Sequence, residues 1–435
     1  MRINPAKVVS VPEALSLVRS HYHIVTGLAA AEPRAFLGEL HSIAKQVQGV
    51  TVTTCLPMLP AEYYMNPEYS NSFRMAGWFF TSAMRRMYPE GHISFIPNHL
   101  HLAGRKRLAH VRPDIYIGAG TLPDRHGYVS LSLSNVYEKH MLEAAGTVII
   151  EVNPNFPRTF GDVEVHLTDI DYLIHADYPV PELPDAAPNA KDMAIGGYIA
   201  EMVRDGDCIQ LGIGGIPNAV AESLRHKKDL GVHTEMLTTG LMKLAKAGII
   251  TNKRKNLHPG KMVCCFALGT RELYSFIDDN PAVLVLAGSY VNDPAVIGCN
   301  DNQVSINTTL EVDLTGQCCS ESIGPVQYSG TGGQADTAVG AQRAKNGRSF
   351  IALYSTAMVM NQLTGEREEI SKIVPVLKSG AIVSLSRNDV DYVVTEHGGA
   401  TLRGTDIKER ARRLIAIAHP VFREELEREA AKLGY

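Results

Sequence analysis

The chain has 435 residues, 45% hydrophobic and 20% charged, with 42 Lys plus Arg against 46 Asp plus Glu and a net charge of −4. That length fits two globular domains, and the composition is that of a folded chain rather than a disordered one. Without a basic excess there is no field strong enough to hold nucleic acid or an anionic membrane, so any phosphate recognition must be local.

In chain order, the opening MRINPAKVVSVPEALSLV lacks an apolar run long enough for a signal-peptide core, so no leader is expected. No stretch approaches ~18 consecutive apolar residues, so no transmembrane helix is expected either. PRAFLGELHSIAKQV sets Phe36, Leu37, Leu40 and Ile43 on one face and reads as a helix. GVTVTTCL, DIYIGAG and GTVIIEVN are short β-branched runs bounded by Gly, Pro or Asp, and read as buried parallel strands. Within NHLHL, His99 and His101 alternate, which on a strand would put both on one face; lacking a third ligand, they predict no metal site. HADYPVPELPDAAPNAKD, residues 175–192, carries Pro179, Pro181, Pro184 and Pro188, which excludes helix and central strand. It reads as a linker dividing the chain into domains at 1–185 and 186–435.

Beyond the linker, DCIQLGIGG, PAVLVLAGS, SFIALYS and GAIVSLS have the same strand character. TGLMKLAKAGI reads as a helix, as does HPVFREELEREAAKL, opened by Pro420. Strands alternating with helices predict an α/β fold with mostly parallel sheets. VTGLAAAEPRAFLGEL and QLGIGGIPNAVAESL share the order strand, glycine turn, proline, helix, which fits either an internal duplication or ordinary βα-turn usage.

Two loops are suited to a ligand. Gly212-Ile213-Gly214-Gly215-Ile216-Pro217-Asn218 joins a strand to a helix, where backbone N–H groups are free for an anion. It is neither a Rossmann fingerprint nor a P-loop, and a plain structural turn fits it equally well. Ser329-Gly330-Thr331-Gly332-Gly333-Gln334-Ala335-Asp336 can form a nest of N–H groups for an oxyanion, or a flexible linker. Glu235, in HTEML just past the first loop, is a candidate carboxylate nucleophile at a strand end, although a surface glutamate without a role fits the same facts. Glu396-His397 offers an acid and a base after a strand. Lys253, Arg254 and Lys255 form a basic run that reads as a solvated loop, with phosphate contact as the alternative. No GxSxG elbow is present. The seven cysteines include two adjacent pairs and no CxxC, and read as buried free thiols of a cytoplasmic protein.

Taken together, several segments resemble the acetyl-CoA hydrolase/transferase family, in the branch of 4-hydroxybutyrate and butyryl-CoA:acetate CoA-transferases. They include DRHGYVSLSLSN, EVNPNFPRTFGD, QLGIGGIPNAV, HTEMLTTG, YVNDPAVI, INTTLEVDLTGQ, SGTGGQAD and SRNDVDYVVTEHGGATLRG, in order over roughly residues 5–430. The resemblance implies two similar open α/β domains with the active site in the cleft between them. It implies that Glu235 is the nucleophile, that Asn292 contacts the oxyanion, and that the Gly333 N–H completes the oxyanion hole. Gly212, Ile213, Gly214, Gly215 and Ile216, with Gly332, would bind CoA, and Glu396 would have a supporting role. The expected reaction exchanges CoA between a short-chain acyl-CoA (4-hydroxybutyryl, butyryl or acetyl) and a free carboxylate such as acetate, through a glutamyl-CoA thioester. CoA would be a substrate and no cofactor would be permanently bound; a homo-oligomer is compatible with this. A short-chain acyl-CoA hydrolase on the same scaffold, and a non-catalytic CoA- or sugar-phosphate-binding protein, are the alternatives.

Overall fold

The computed structural model describes residues 7–360 and 365–435. Residues 1–6, which begin the expected first domain, the segment read for a leader and the family-like stretch, lie outside the described residues.

Seven parallel strands form the first sheet, in the spatial order Tyr172–His175, Thr147–Val152, Ile115–Gly120, His23–Thr26, Val50–Thr54, Phe73–Gly77, Ile93–Phe95. Its inner strands are Val/Ile-rich because helices cover both faces of a parallel sheet; Ile115–Gly120 is buried at every position. The second sheet runs Gly231–Val232, Cys208–Leu211, Gln303–Thr308, Arg348–Ala352, Tyr392–Thr395, Gly398–Thr401, parallel except for its last, antiparallel pair. The α/β architecture expected from the alternating patterns is therefore the one observed.

From Ala176 to Asn189 the chain is extended, with no helix or strand, and helix Ala190–Met202 begins after it. The halves are nevertheless interleaved. Phe160–Gly161 pairs in parallel with Val283–Val285, and one apolar core runs from Val25 through Ile150, Ile209 and Val263 to Val394. Both sheets direct the carboxyl ends of their strands towards the same cleft, the usual place for a ligand in open α/β folds. Among the described residues no helix is long and apolar enough to cross a membrane.

Three local expectations need correction. The helix read over PRAFLGELHSIAKQV is α-helical only over Arg34–Glu39 and tightens to a 3-10 turn at Leu40–Ile43. His99 and His101 are not on a strand: His99 precedes the 3-10 turn Leu100–Leu102. GAIVSLS forms no strand, because Gly380 turns with φ 82, the Ile382 N–H is used by Ser322 Oγ at 2.9 Å, and only Leu385 bridges to Cys318.

Helices Ala190–Met202 and Gly215–Ser223 cross where Gly196 meets the Ala219 backbone; a Cβ at Gly196 would lie 2.7 Å from Ala219 carbonyl atoms, whereas one at Gly197 would meet nothing within 4 Å. Gly196→Ala should therefore lower the melting temperature, at a cost of about 1–3 kcal/mol from overpacking. Gly197→Ala should leave it unchanged or raise it, since Ala in a helix interior is favoured over Gly by about 1 kcal/mol. Thermal melts of the two variants check the pair.

Candidate active site

Glu235 lies between the short strands Gly231–Val232 and Met236–Leu237. Its backbone is pinned on both sides. The Glu235 carbonyl accepts from the backbone N–H groups of Cys265 at 3.0 Å and Phe266 at 3.2 Å, and Thr234 N–H donates to Val263 O at 3.0 Å. Two residues upstream, the buried His233 ring reaches Val291 O through Nε2 at 2.8 Å. Burial, then the charge of Lys255, pushes the His233 pKa down to about 3, so the ring is neutral and Nε2 is the donor. That bond ties the Glu235 segment to the residue preceding Asn292.

Asn292 caps the short helix Gly288–Val291 and is fully buried. Its Nδ2 donates to Glu235 Oε2 at 2.8 Å, and its Oδ1 faces the Cys265 thiol at 3.6 Å, which orients the amide. The backbone N–H of Gly333 also bonds the Glu235 carboxylate. Gly333 must be glycine for reasons of space: a Cβ there would overlap both Glu235 Oε2 and Asn292 Nδ2. Two donors thus converge on one carboxylate.

Desolvation raises the Glu235 pKa to about 7; the Asp336 charge acts in the same direction, while the hydrogen bonds from Asn292 and Gly333 oppose it. The side chain is only half-buried, and it faces a cavity of about 320 Å³ built from both halves of the chain. On one wall stand Leu28, Cys55, Leu56, Phe79 and Leu100; on the other stand Gln210, Asn307, Thr308, Ser320, Thr331 and Gln334. The first wall comes from loops that follow adjacent strands of the first sheet and are hydrogen-bonded to one another, Ala29 N–H to Cys55 O and Leu56 N–H to Phe79 O, each at 3.3 Å. Ala29 (φ 49) and Leu56 (φ 52) hold left-handed backbone, a strain that folds retain mainly at functional positions. Burial, with the nearby charges of Glu235 and Glu138, lifts the Cys55 thiol far above its ordinary range, so it lines the cavity uncharged.

The other candidates fall into place as follows. Gly212, Ile213, Gly332 and Gly333 line the cavity, whereas Gly214, Gly215 and Ile216 do not. Gly214 caps helix Gly215–Ser223 with φ 111, Gly215 backs onto the Asp192 carboxylate, and Ile216 is buried in the core. Glu396 is away from the cavity lining; it accepts from Ser355 N–H and Oγ, both at 2.9 Å, and pairs with Lys191 at 3.2 Å. The basic run is not a solvated loop throughout: Lys255 is buried and donates to Val232 O and Lys261 O, both at 2.7 Å, beneath the Glu235 segment. His99 and His101 face Asp336 rather than a metal, and among the described residues no cluster of three or more His, Cys, Asp or Glu is placed to hold one. The cysteines are free thiols, but Cys299 is exposed rather than buried. The apolar wall and Cys265 were not singled out from sequence; the signal available was that VTGL, TTCL and AGWF each end a strand on the same sheet edge.

The chain is thus an open α/β protein with a desolvated carboxylate in the cleft between two mostly parallel sheets, an arrangement suited to acyl transfer. The family pattern for the acetyl-CoA hydrolase/transferase N-terminal domain matches residues 4–184, and that for the C-terminal domain matches residues 269–430. The chain is 42% identical to a succinyl-CoA:cyclohexane-1-carboxylate CoA transferase of Geobacter metallireducens, over 98% of this chain and 96% of that protein. It is likewise 42% identical to a 4-hydroxybutyrate coenzyme A transferase of Clostridium kluyveri, over 98% of this chain and 97% of that one. RipA from Yersinia pestis superposes with a TM-score of 0.90 at 35% identity, covering 98% of this chain and 97% of RipA. The chain belongs to the acetyl-CoA hydrolase/transferase family.

A carboxyl with its folded pKa raised to about 7 binds a proton in the native state that the unfolded chain releases near 4.5, so its contribution to stability declines as pH rises between those values. Glu235→Gln removes the buried charge. It should melt at a higher temperature than the parent at pH 8, by the equivalent of about 1–3 kcal/mol, with the difference shrinking as pH falls towards 4.5 and absent below it.

Proposed function

We propose that this protein is a CoA-transferase that exchanges CoA between a short-chain acyl-CoA and a free carboxylate, with Glu235 as the covalent carrier. The observation that carries the reading is the Glu235 carboxylate itself, presented to a two-sided cavity with Asn292 Nδ2 and the Gly333 N–H directed at it. 4-Hydroxybutyryl-, butyryl- and acetyl-CoA are the proposed donors and acetate a proposed acceptor. Residues 1–185 and 186–435 are the two domains that close over the site, in a cytoplasmic enzyme with no permanently bound cofactor.

The chemistry follows from the groups present. Ionised Glu235 attacks the thioester carbonyl; the C–S bond breaks, CoA leaves as thiolate, and a mixed anhydride joins Glu235 to the acyl group. The thiolate attacks the glutamyl carbonyl, forming glutamyl-CoA and releasing the donor acid as its carboxylate. The acceptor carboxylate then reverses these steps. Thioester energy is conserved, so no nucleotide is hydrolysed.

In the free site Asn292 Nδ2 holds Oε2, which in this reading becomes the glutamyl carbonyl oxygen, and the Gly333 N–H is directed at the same carboxylate. They are therefore preorganised for the oxyanion that forms when thiolate attacks that carbonyl, a stabilisation worth roughly 3 kcal/mol per donor in related sites. The cavity contributes by excluding water, the competing acceptor. Gly212, Ile213 and Gly332 border the cavity and are the proposed contacts to the thioester arm of CoA, with Gly214, Gly215 and Ile216 shaping the loop from outside the lining.

Incubation with butyryl-CoA and no acceptor should load CoA on Glu235, and borohydride should inactivate only the loaded enzyme; peptide mass analysis locates the adduct. Glu235→Gln should abolish exchange while retaining the fold. Asn292→Ala should lower kcat by about 10²–10³. An adduct on another residue, such as Glu396, would remove Glu235 from its role. Exchange should show ping-pong kinetics, with parallel double-reciprocal lines at several acetate concentrations. Rapid thiol release without acceptor would identify a hydrolase instead.

A further inference from the structure

We propose that His101 is a positioning residue for this reaction: through Asp336 it fastens the first half of the chain to the turn that presents Gly333, and it offsets the Asp336 charge that opposes ionisation of Glu235. The proposal rests on the reading of Glu235 as the nucleophile. Asp336 is 2% exposed and sits in the first turn of helix Gln334–Arg343, whose N-cap is Gly333. Both of its carboxylate oxygens are taken from across the cleft. Oδ2 accepts the His101 backbone N–H at 3.0 Å, and Oδ1 lies 2.8 Å from the His101 ring Nδ1. His99 Nδ1 stands 3.8 Å from the same oxygen. Residues 99–101 belong to the first half, and Leu100 between the two histidines lines the cavity. One side chain thus sets the position of a cavity wall relative to the Gly333 turn.

A buried carboxylate is tolerated when it is paired, and removing its partner leaves an uncompensated charge. Here that charge lies beside a second carboxyl that must ionise to react. Burial disfavours the charged ring of His101, but the hydrogen bond and the charge of Asp336 outweigh it and raise the His101 pKa; Asp293 acts in the same sense and Lys106 opposes it. The facing groups are therefore His99, Lys106, Asp293, Asp336 and Glu235. Of the two histidines that face Asp336, His101 is the one that hydrogen-bonds it through its ring.

A purely structural fastener would change stability but not the titration of Glu235. The test is the pH dependence of kcat/KM for butyryl-CoA with acetate, whose acid limb reports the free enzyme, in the parent, His101→Gln, Asp336→Asn and the double variant. His101→Gln should move the acid limb to higher pH, by about half a unit to one unit, because Asp336 then keeps only the backbone N–H of residue 101 and the more distant His99 ring against its charge. Asp336→Asn should move it to lower pH, and the double variant should match Asp336→Asn. An acid limb of His101→Gln that coincides with the parent overturns the proposal. If His101→Gln does not fold, an Asp336→Asn limb that fails to move down overturns it as well. In parallel, the rate of carbodiimide modification at Glu235, located by peptide mass analysis, falls as the carboxyl ionises and requires no turnover. A parent that exchanges no CoA would remove the functional reading, while the labelling profiles would still support or refute the tie between His101, Asp336 and Glu235.

Discussion

Everything around the cleft answers to one constraint, a carboxylate held out of water that must still ionise. Desolvation alone would keep Glu235 protonated well above the ordinary glutamate range. The hydrogen bonds from Asn292 and the Gly333 N–H oppose that rise and leave its pKa at about 7, where both forms are populated near neutrality. They need an amide whose orientation is fixed, which the Cys265 thiol and the His233 bond to Val291 O provide, and a backbone N–H that no side chain obstructs, which only glycine at 333 allows. In the nucleophilic role proposed for Glu235, poor solvation would strengthen the attack, so the destabilising environment and the proposed reactivity would have the same physical origin.

The second requirement is closure. Gly330 packs directly on the Trp78 carbonyl, Gly332 lies against the Phe79 ring, and the Phe80 N–H donates to Ser329 O at 3.1 Å. The glycine turn of one half is thus moulded onto the strand-end loop of the other. Phe79 serves the cavity wall and the turn together, which couples the shape of the apolar wall to the position of the Gly333 N–H.

Much of this was legible in the sequence. The strand patterns identified the parallel sheets because buried parallel strands are continuous apolar runs, and the proline density marked the extended segment before Ala190. Glu235, Asn292 and Gly333 were named through family-like segments, and the structure brings them within hydrogen-bonding reach of one another. What escaped depends on distance in the chain. Nothing local in NHLHL announces that His101 meets Asp336, a partner 235 residues away. Lys255 looked solvated because neighbouring lysine and arginine suggest an exposed loop, yet its stem is packed on Gly231 and its ammonium is satisfied by two carbonyls. GAIVSLS failed as a strand because β propensity cannot supply a neighbouring edge to pair with.

The pairing of Phe160–Gly161 with Val283–Val285 has a consequence for how the protein is made. During synthesis at ~5–20 residues per second, the first seven-stranded sheet is complete many seconds before its small appended strand can find a partner. A nascent first half therefore emerges with an unpaired edge and with the apolar surfaces that later join the shared core. Its waiting time on the ribosome is set by the length of chain between residues 161 and 285. Separate expression of the two halves would make that exposure permanent.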